Sequence, residues 1–156
     1  MPTLPERDHA ATGLDVRLLG ADEGAVLDRV AENVFDYAID PRRRDEFMAD
    51  PRHHLAVAVS EGVVVGMASG VHYVHPDKPP ELWVNEVAVS PAFQRRGIAT
   101  ALLEVLFGHA QTLGCAEAWV LTDRSNPEAR ALYAHTGGAE VTDGPVMFTF
   151  ALGDAD

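Results

Sequence analysis

Cysteine occurs once, at Cys115, and lysine once, at Lys78, in a chain of 156 residues. A single thiol excludes an internal disulfide and suits a reducing compartment. Following Gly114 and preceding the apolar run 118–121, it reads as a buried, inert side chain. No apolar run approaches the ~20 residues of a membrane span. Glu6, Arg7 and Asp8 stand where a signal peptide would need an apolar core. A cytoplasmic protein is therefore expected. Positive charge is scarce as well: 12 Lys and Arg against 24 Asp and Glu give a net charge of −12. That balance argues against nucleic acid or an anionic membrane as partner and is compatible with a cationic one. Surface acid also serves solubility, so charge alone decides nothing.

What is present is ordinary globular material, 47% hydrophobic and 23% charged. The length suits one domain with a real core. A loose tail is expected over 1–14 and a single domain over 15–152. Val16 to Leu19 alternate as a first strand. Asp22 could cap a helix carrying Ala25, Val26, Val30, Val34 and Phe35, running to about Ala38. Asp40-Pro41 opens a second short helix. Residues 55–59 and 63–71 form a hairpin about Glu61-Gly62. A proline-rich loop over 75–80 precedes a strand over 81–90 and a helix from about Ile98 to Leu113, with His109 as an interior histidine on its apolar stripe. A strand follows over 118–122, then a helix from Asn126-Pro127 that stops at Gly137-Gly138. Strands over 139–141 and 146–150 close the chain. This order describes a mixed α/β sheet with one parallel crossover.

The stretch that organises the rest is 82–110, where an apolar strand meets the loop Gln94-Arg95-Arg96-Gly97 and then a helix. Free N–H groups in a first helical turn, helped by the helix dipole, hold anions. Arg95 and Arg96 bring charge that would offset a diphosphate. The loop lacks the lysine of a P-loop and the second glycine of a dinucleotide fingerprint, so neither fits. Further on, Asn126, Ala129 and Tyr133 share one helical face.

Gln94 to Ala99, together with Asn126, Ala129, Tyr133 and Gly137, resemble the two signatures of the GNAT superfamily of acetyl-coenzyme A dependent N-acetyltransferases. The resemblance covers roughly 15–150. Ala-Val-Ser followed by Arg-Arg-Gly-Ile-Ala-Thr-Ala-Leu, the Asp-Pro-Arg region and the proline-rich loop resemble the small aminoglycoside 3-N-acetyltransferases within it. The resemblance implies a GNAT fold: a mixed, mostly antiparallel sheet of six to seven strands, splayed at its centre and flanked by about four helices. It implies that Val87, Ala88 and Val89 pair with the pantetheine of acetyl-CoA. Gln94, Arg95, Arg96, Gly97, Ile98, Ala99 and Thr100 would hold the pyrophosphate. Asn126 and Ala129 would border the pantetheine arm, and Arg130 would reach a phosphate. A homodimer is common among such proteins.

Acetyl transfer to an amine needs a base. Glu86 is the candidate, because a carboxylate in an apolar strand is costly unless it points into a cleft. In simple alternation it shares a face with Val84 and Ala88, and a bulge could redirect it. The alternative is a solvated side chain on an edge strand. Tyr133 is the candidate acid for the departing thiolate, or else a core aromatic. Asp36, Asp40, Glu81 and Asp143 lie in segments that wall the acceptor site in this fold. Together they would suit a cationic acceptor, though each alone reads as a cap or a solvated charge. The histidines show no metal-ligand spacing, so no metal site is expected. Polyamines and protein or peptide amines are the alternative acceptors. A non-catalytic acyl-CoA-binding domain is a third reading, which Glu86 and Tyr133 argue against.

Overall fold

The computed structural model describes residues 13–153. Its strands are β1 (Leu14–Leu18), β2 (His53–Ser60), β3 (Val63–Tyr73), β4 (Glu81–Val89) and β5 (Glu117–Val120). Its helices are α1 (Pro41–Ala49), α2 (Ile98–Thr112) and α3 (Pro127–His135). The strands form one sheet in the order β1-β2-β3-β4-β5. Every pair is antiparallel except β4 with β5, which are parallel and joined through α2. The β2–β3 turn places Glu61 and Gly62 at φ 49° and 79°, the left-handed pair that matches strand twist. The tail expected over 1–14 falls almost wholly outside the described residues. Among the described residues no helix is long and apolar enough to cross a membrane.

Apolar side chains cover both faces of the sheet. On one face Leu102, Leu103 and Leu106 of α2 pack onto Ala56, Ala58, Val65, Ala68, Leu82 and Val84. On the other, Leu27 and Val34 join Leu55, Val57, Val64 and Met67, with Phe47 and Met48 of α1 at the margin. At ~1.5–3 kcal/mol per fully buried large side chain, these two layers are the main source of stability. Asp40 caps α1 by accepting from the backbone N–H of Arg42 and Arg43 at 2.8 and 3.2 Å.

Two expectations fail. No α-helix spans 22–38: the segment makes one 3-10 turn, Gly24–Asp28, and then lies against β3. Val30 bridges Val64 in parallel, with Ala31 N–H to Val64 O and Val64 N–H to Arg29 O both at 2.9 Å. Those bonds compete with the ones a helix would make internally, and Asn33 at φ 63° breaks its course. Three valines, stiff at χ1, lower the cost of losing the helix. The strands expected over 139–141 and 146–150 do not form either. Val141, Val146, Met147, Phe148 and Phe150 are 67–80% exposed, and no ladder partner faces them among the described residues. Alternation supplies a strand's pattern but not its hydrogen bonds. The sheet therefore has five strands and three α-helices flank it, fewer than expected.

Three histidines meet under α2. His54 of β2 is 7% exposed. Its Nε2 lies 2.7 Å from Nδ1 of His72 in β3, and the ring of His109 stands edge-on to it at 4.7 Å. Burial, then repulsion from His109, His72 and His53, lowers the His54 pKa from 6.5 to about 4, against a weak opposite pull from Asp50. The unfolded chain binds this proton more readily, so stability holds above about pH 6.5 and falls as pH drops towards about 4, by ~2–3 kcal/mol. We expect the urea midpoint to decline across that window and the His54 ring to titrate near 4 by NMR. A His54 that titrates near 6.5 would refute the burial argument.

Candidate active site

The site begins with one extra residue. β3 pairs Ser69 with Glu86 but the adjacent Gly70 with Val84, so Asn85 bulges out of register. A Cβ on Gly70 would sit 3.0 Å from the Trp83 carbonyl oxygen and 3.2 Å from Leu82 Cδ1, which is why the strand can crowd there only against glycine. Before the bulge, Leu82 and Val84 point into the α2 layer, each 1% exposed. After it, the alternation is reset. Glu86 falls on the opposite face with Ala88 and Trp83, parted from Val84, and it is exposed.

The bulge coincides with a parting of strands. β5 pairs with β4 only from Glu81 to Val84, opposite Glu117 to Val120. From Asn85 to Val89, β4 keeps β3 on one side and has no strand on the other. Val87, Ala88 and Val89, the expected partners of pantetheine, line that open edge. The Val89 carbonyl accepts from the Gln94 side chain at 3.1 Å, which ties the loop back to the strand.

The loop then enters α2 through two left-handed residues, Arg95 at φ 64° and Gly97 at φ 76°. For Arg95 this is an uncommon conformation; for Gly97 it has little steric cost. The N-termini of the three helices differ. Asp40 caps α1, and Asn126 caps α3 by accepting from the Ala129 N–H at 3.0 Å. Gly97 gives α2 no side-chain cap. The first N–H groups of α2, those of Ile98, Ala99 and Thr100, therefore lack a side-chain acceptor and point where the dipole favours an anion. Arg95 and Arg96 are exposed beside them, with Arg96 lying over the Phe93 ring at 5.0 Å. Thr100 is 8% exposed, so the backbone rather than the hydroxyl is what it offers. An uncapped helix start with two arginines fits a diphosphate.

Across the gap, α3 carries the rest. The Asn126 oxygen is committed to the cap, leaving its amide NH2 for a ligand. Arg130 donates to Glu140 at 3.1 Å and to the Arg124 carbonyl at 3.4 Å, while its buried Nε has no partner among the described residues. Tyr133 is half-buried against the α2 layer, and burial raises its phenol pKa. It borders a groove of about 350 Å³ with Leu103, Phe107, Trp119 and Val120.

The four carboxylates expected around an acceptor sit in different elements. Asp40 is a cap, and Asp36 and Asp143 are exposed in irregular segments. Glu81 lies on β4 itself, on the face of the strand that bears Trp83 and Glu86. Its Oε2 accepts from the Tyr73 hydroxyl at 2.9 Å and lies 2.8 Å from His75 Nε2. Those bonds, His75 first, hold its pKa below the ordinary carboxylate value. Sequence reasoning missed what stands next to it: Trp83 and Trp119, register partners across β4 and β5, stacked with centroids 5.0 Å apart. Two tryptophans in two strands were the available signal, but only the parallel register pairs them. Among the described residues no group of three His, Cys, Asp or Glu could hold a metal ion.

Comparison with known proteins follows the same outline. The model of the acetyltransferase (GNAT) family matches residues 26–137. The chain is 39% identical over 76 residues to the ribosomal protein bS18-alanine N-acetyltransferase of Salmonella typhimurium, across 49% of this chain and 51% of that one. It is 32% identical over 94 residues to the L-2,4-diaminobutyric acid acetyltransferase of Nocardia farcinica, across 58% and 48%. The chain thus spans about half the length of these curated relatives. The crystal structure of aminoglycoside acetyltransferase meta-AAC0020 from an uncultured soil metagenomic sample superposes with a TM-score of 0.78 at 23% identity, covering 90% of this chain and 97% of that one. Aminoglycoside N-acetyltransferase AAC(6')-Iy in complex with CoA gives 0.71 at 20% identity, covering 89% and 95%. These likenesses establish the GNAT fold.

Gly97→Ala tests the loop. Forcing a side chain into the left-handed region costs ~1–2 kcal/mol. Calorimetry should show CoA affinity reduced about tenfold with the far-ultraviolet spectrum unchanged. Unaltered affinity would mean that this helix start does not hold the diphosphate.

Proposed function

The chain belongs to the GNAT family of acetyltransferases, and on that footing we propose that it moves the acetyl group of acetyl-CoA to a primary amine of a small cationic acceptor, an aminoglycoside above others. The observation that carries this is the bulge at Asn85, which turns Glu86 out of the apolar strand at the mouth of the gap between β4 and β5. Val87 to Val89, the start of α2 and the Asn126 amide are the groups that would hold the cofactor. When bound, acetyl-CoA supplies an acetyl thioester. An acceptor amine is an ammonium at neutral pH and has no lone pair. Glu86 takes that proton, directly or through one water. Tyr133, on the other side of the gap, gives its phenolic proton to the departing sulfur, and the second amine proton restores it. Cys115 borders the same groove as Tyr133, but burial raises its thiol pKa and makes it a poor nucleophile. Transfer is therefore direct, without an acetylated enzyme.

The acidity of the chain and the aminoglycoside acetyltransferases among its structural neighbours favour an aminoglycoside acceptor. The motif resemblance points to the 3-amino group, and product NMR reads the position. Resistance to the antibiotic would be the cellular consequence, in a cytoplasmic enzyme. A thiol-release assay over aminoglycosides, polyamines and peptides decides the class. Turnover on peptides with none on aminoglycosides would overturn it. Glu86→Gln should lower kcat/KM at neutral pH by ~10²-fold or more. Unchanged transfer would remove Glu86 as the base.

A homodimer belongs to the same reading. Val146, Phe148 and Phe150 alternate and are 76–80% exposed, and β5 is an open sheet edge. An exposed apolar strand next to a free edge is an association site. In a twofold pair each copy would offer its segment to the other's β5. Light scattering should give twice the chain mass, and removal of residues 145–156 should return a monomer. A full-length monomer at micromolar concentration would end this part.

A further inference from the structure

The chain has two tryptophans, and both stand in one stack on the face that bears Glu86. Trp83 and Trp119 lie nearly parallel, at 13°, with centroids 5.0 Å apart. Their orientation is fixed from below. Trp119 Nε1 donates to the Tyr73 hydroxyl at 2.9 Å, and that hydroxyl donates to Glu81 Oε2 at 2.9 Å. The same oxygen meets His75 Nε2 at 2.8 Å, and the Tyr73 ring stands edge-on to Trp119 at 82°. Trp83 caps the stack and remains 38% exposed.

Two further facts give the stack a direction. Because Asn85 bulges out, Trp83 and Glu86 are consecutive side chains on their face of β4, roughly 7 Å apart along the strand. In addition, Glu81 and Glu117 are register partners at the foot of the stack. Glu81 is already engaged by Tyr73 and His75, and Glu117 opposite it is exposed, so Glu117 adds a second carboxylate that faces solvent. An indole face takes up the C–H face of a sugar ring and attracts ammonium groups, and paired carboxylates take the ammonium groups themselves.

We propose that the Trp83–Trp119 stack is the acceptor platform, and that the acceptor it takes is an aminated sugar ring lying on the outer face of Trp83, with ring ammonium groups towards Glu81 and Glu117 and the reacting amine towards Glu86. This deepens the acetyltransferase reading and rests on it for the role of Glu86 alone. A linear polyamine lacks the flat C–H face that uses an indole, and a peptide needs an extended groove, which a two-ring stack does not provide.

Because every tryptophan of the chain is in the stack, intrinsic fluorescence reports on this place and no other. Titration of kanamycin into the CoA-loaded protein should give a saturable change in tryptophan emission, and spermidine or a tetrapeptide should give none at equal concentration. Trp83→Phe should raise the KM for kanamycin about tenfold while the KM for acetyl-CoA stays within about twofold. Trp119→Phe, which keeps Trp83 but loses the bond to Tyr73, should weaken kanamycin by a smaller factor. No saturable change with kanamycin, or an equal change with spermidine, overturns the platform. So does a KM for kanamycin that Trp83→Phe leaves within about twofold. The two readings fail separately. A saturable kanamycin signal with Glu86→Gln fully active keeps the platform and removes the base. Glu86-dependent acetylation of peptides that Trp83→Phe does not touch keeps the base and removes the platform.

Discussion

The geometry of the site depends on one extra residue in β4. A regular strand would alternate Leu82, Val84 and Glu86 onto the same face, and the carboxylate would enter the layer that α2 covers. Burying it there unpaired would cost several kcal/mol. Asn85 breaks the alternation, and the cost is avoided by geometry rather than by a counter-charge. The same residue marks where β5 stops following β4. One bulge thus does two things: it turns the carboxylate outward, and beside it lies a strand edge with no strand paired to it among the described residues. Gly70, across the ladder, is what lets the chains crowd closely enough for this.

Charge is arranged against the average of the chain. The molecule is strongly acidic, yet Arg95 and Arg96 flank the one α-helix start among the described residues that has no side-chain cap. Helices α1 and α3 satisfy their first N–H groups internally, through Asp40 and Asn126. Leaving α2 open forgoes ~1 kcal/mol of capping and makes sense where an anion completes the helix from outside. Arg130, by contrast, already meets an acid through one end of its guanidinium, at Glu140, while its buried Nε has no partner among the described residues.

What was legible in the sequence was local. The loop 94–100, the cap at Asp40, the hairpin at Glu61-Gly62 and the helix from Pro127 each depend on residues within a few positions of one another. What was not legible depends on partners far along the chain. The segment 22–38 has helical spacing, but β3 offers its backbone better hydrogen bonds. The bulge is a property of the β3–β4 register, and the tryptophan stack of the β4–β5 register, and neither is written in one strand. The closing segment carries a strand's alternation without a strand's partner. Periodicity reports which side chains want burial, and it is silent on who buries them.

On the proposed reading, the parting of β4 and β5 would also let a base and an acid serve one transfer. A carboxylate and a phenol within hydrogen-bond reach would share a proton, and each would weaken the other's task. Glu86 stands on the face of the sheet with Trp83 and Ala88, whereas Tyr133 packs on the α2 side, where burial keeps its proton in place. On that reading the gap between the strands would be the opening they share. An amine approaching from the Glu86 face and a sulfur held on the Tyr133 side would meet there, each next to the group that handles its proton. On that reading, separation of the two proton transfers would follow from strand topology.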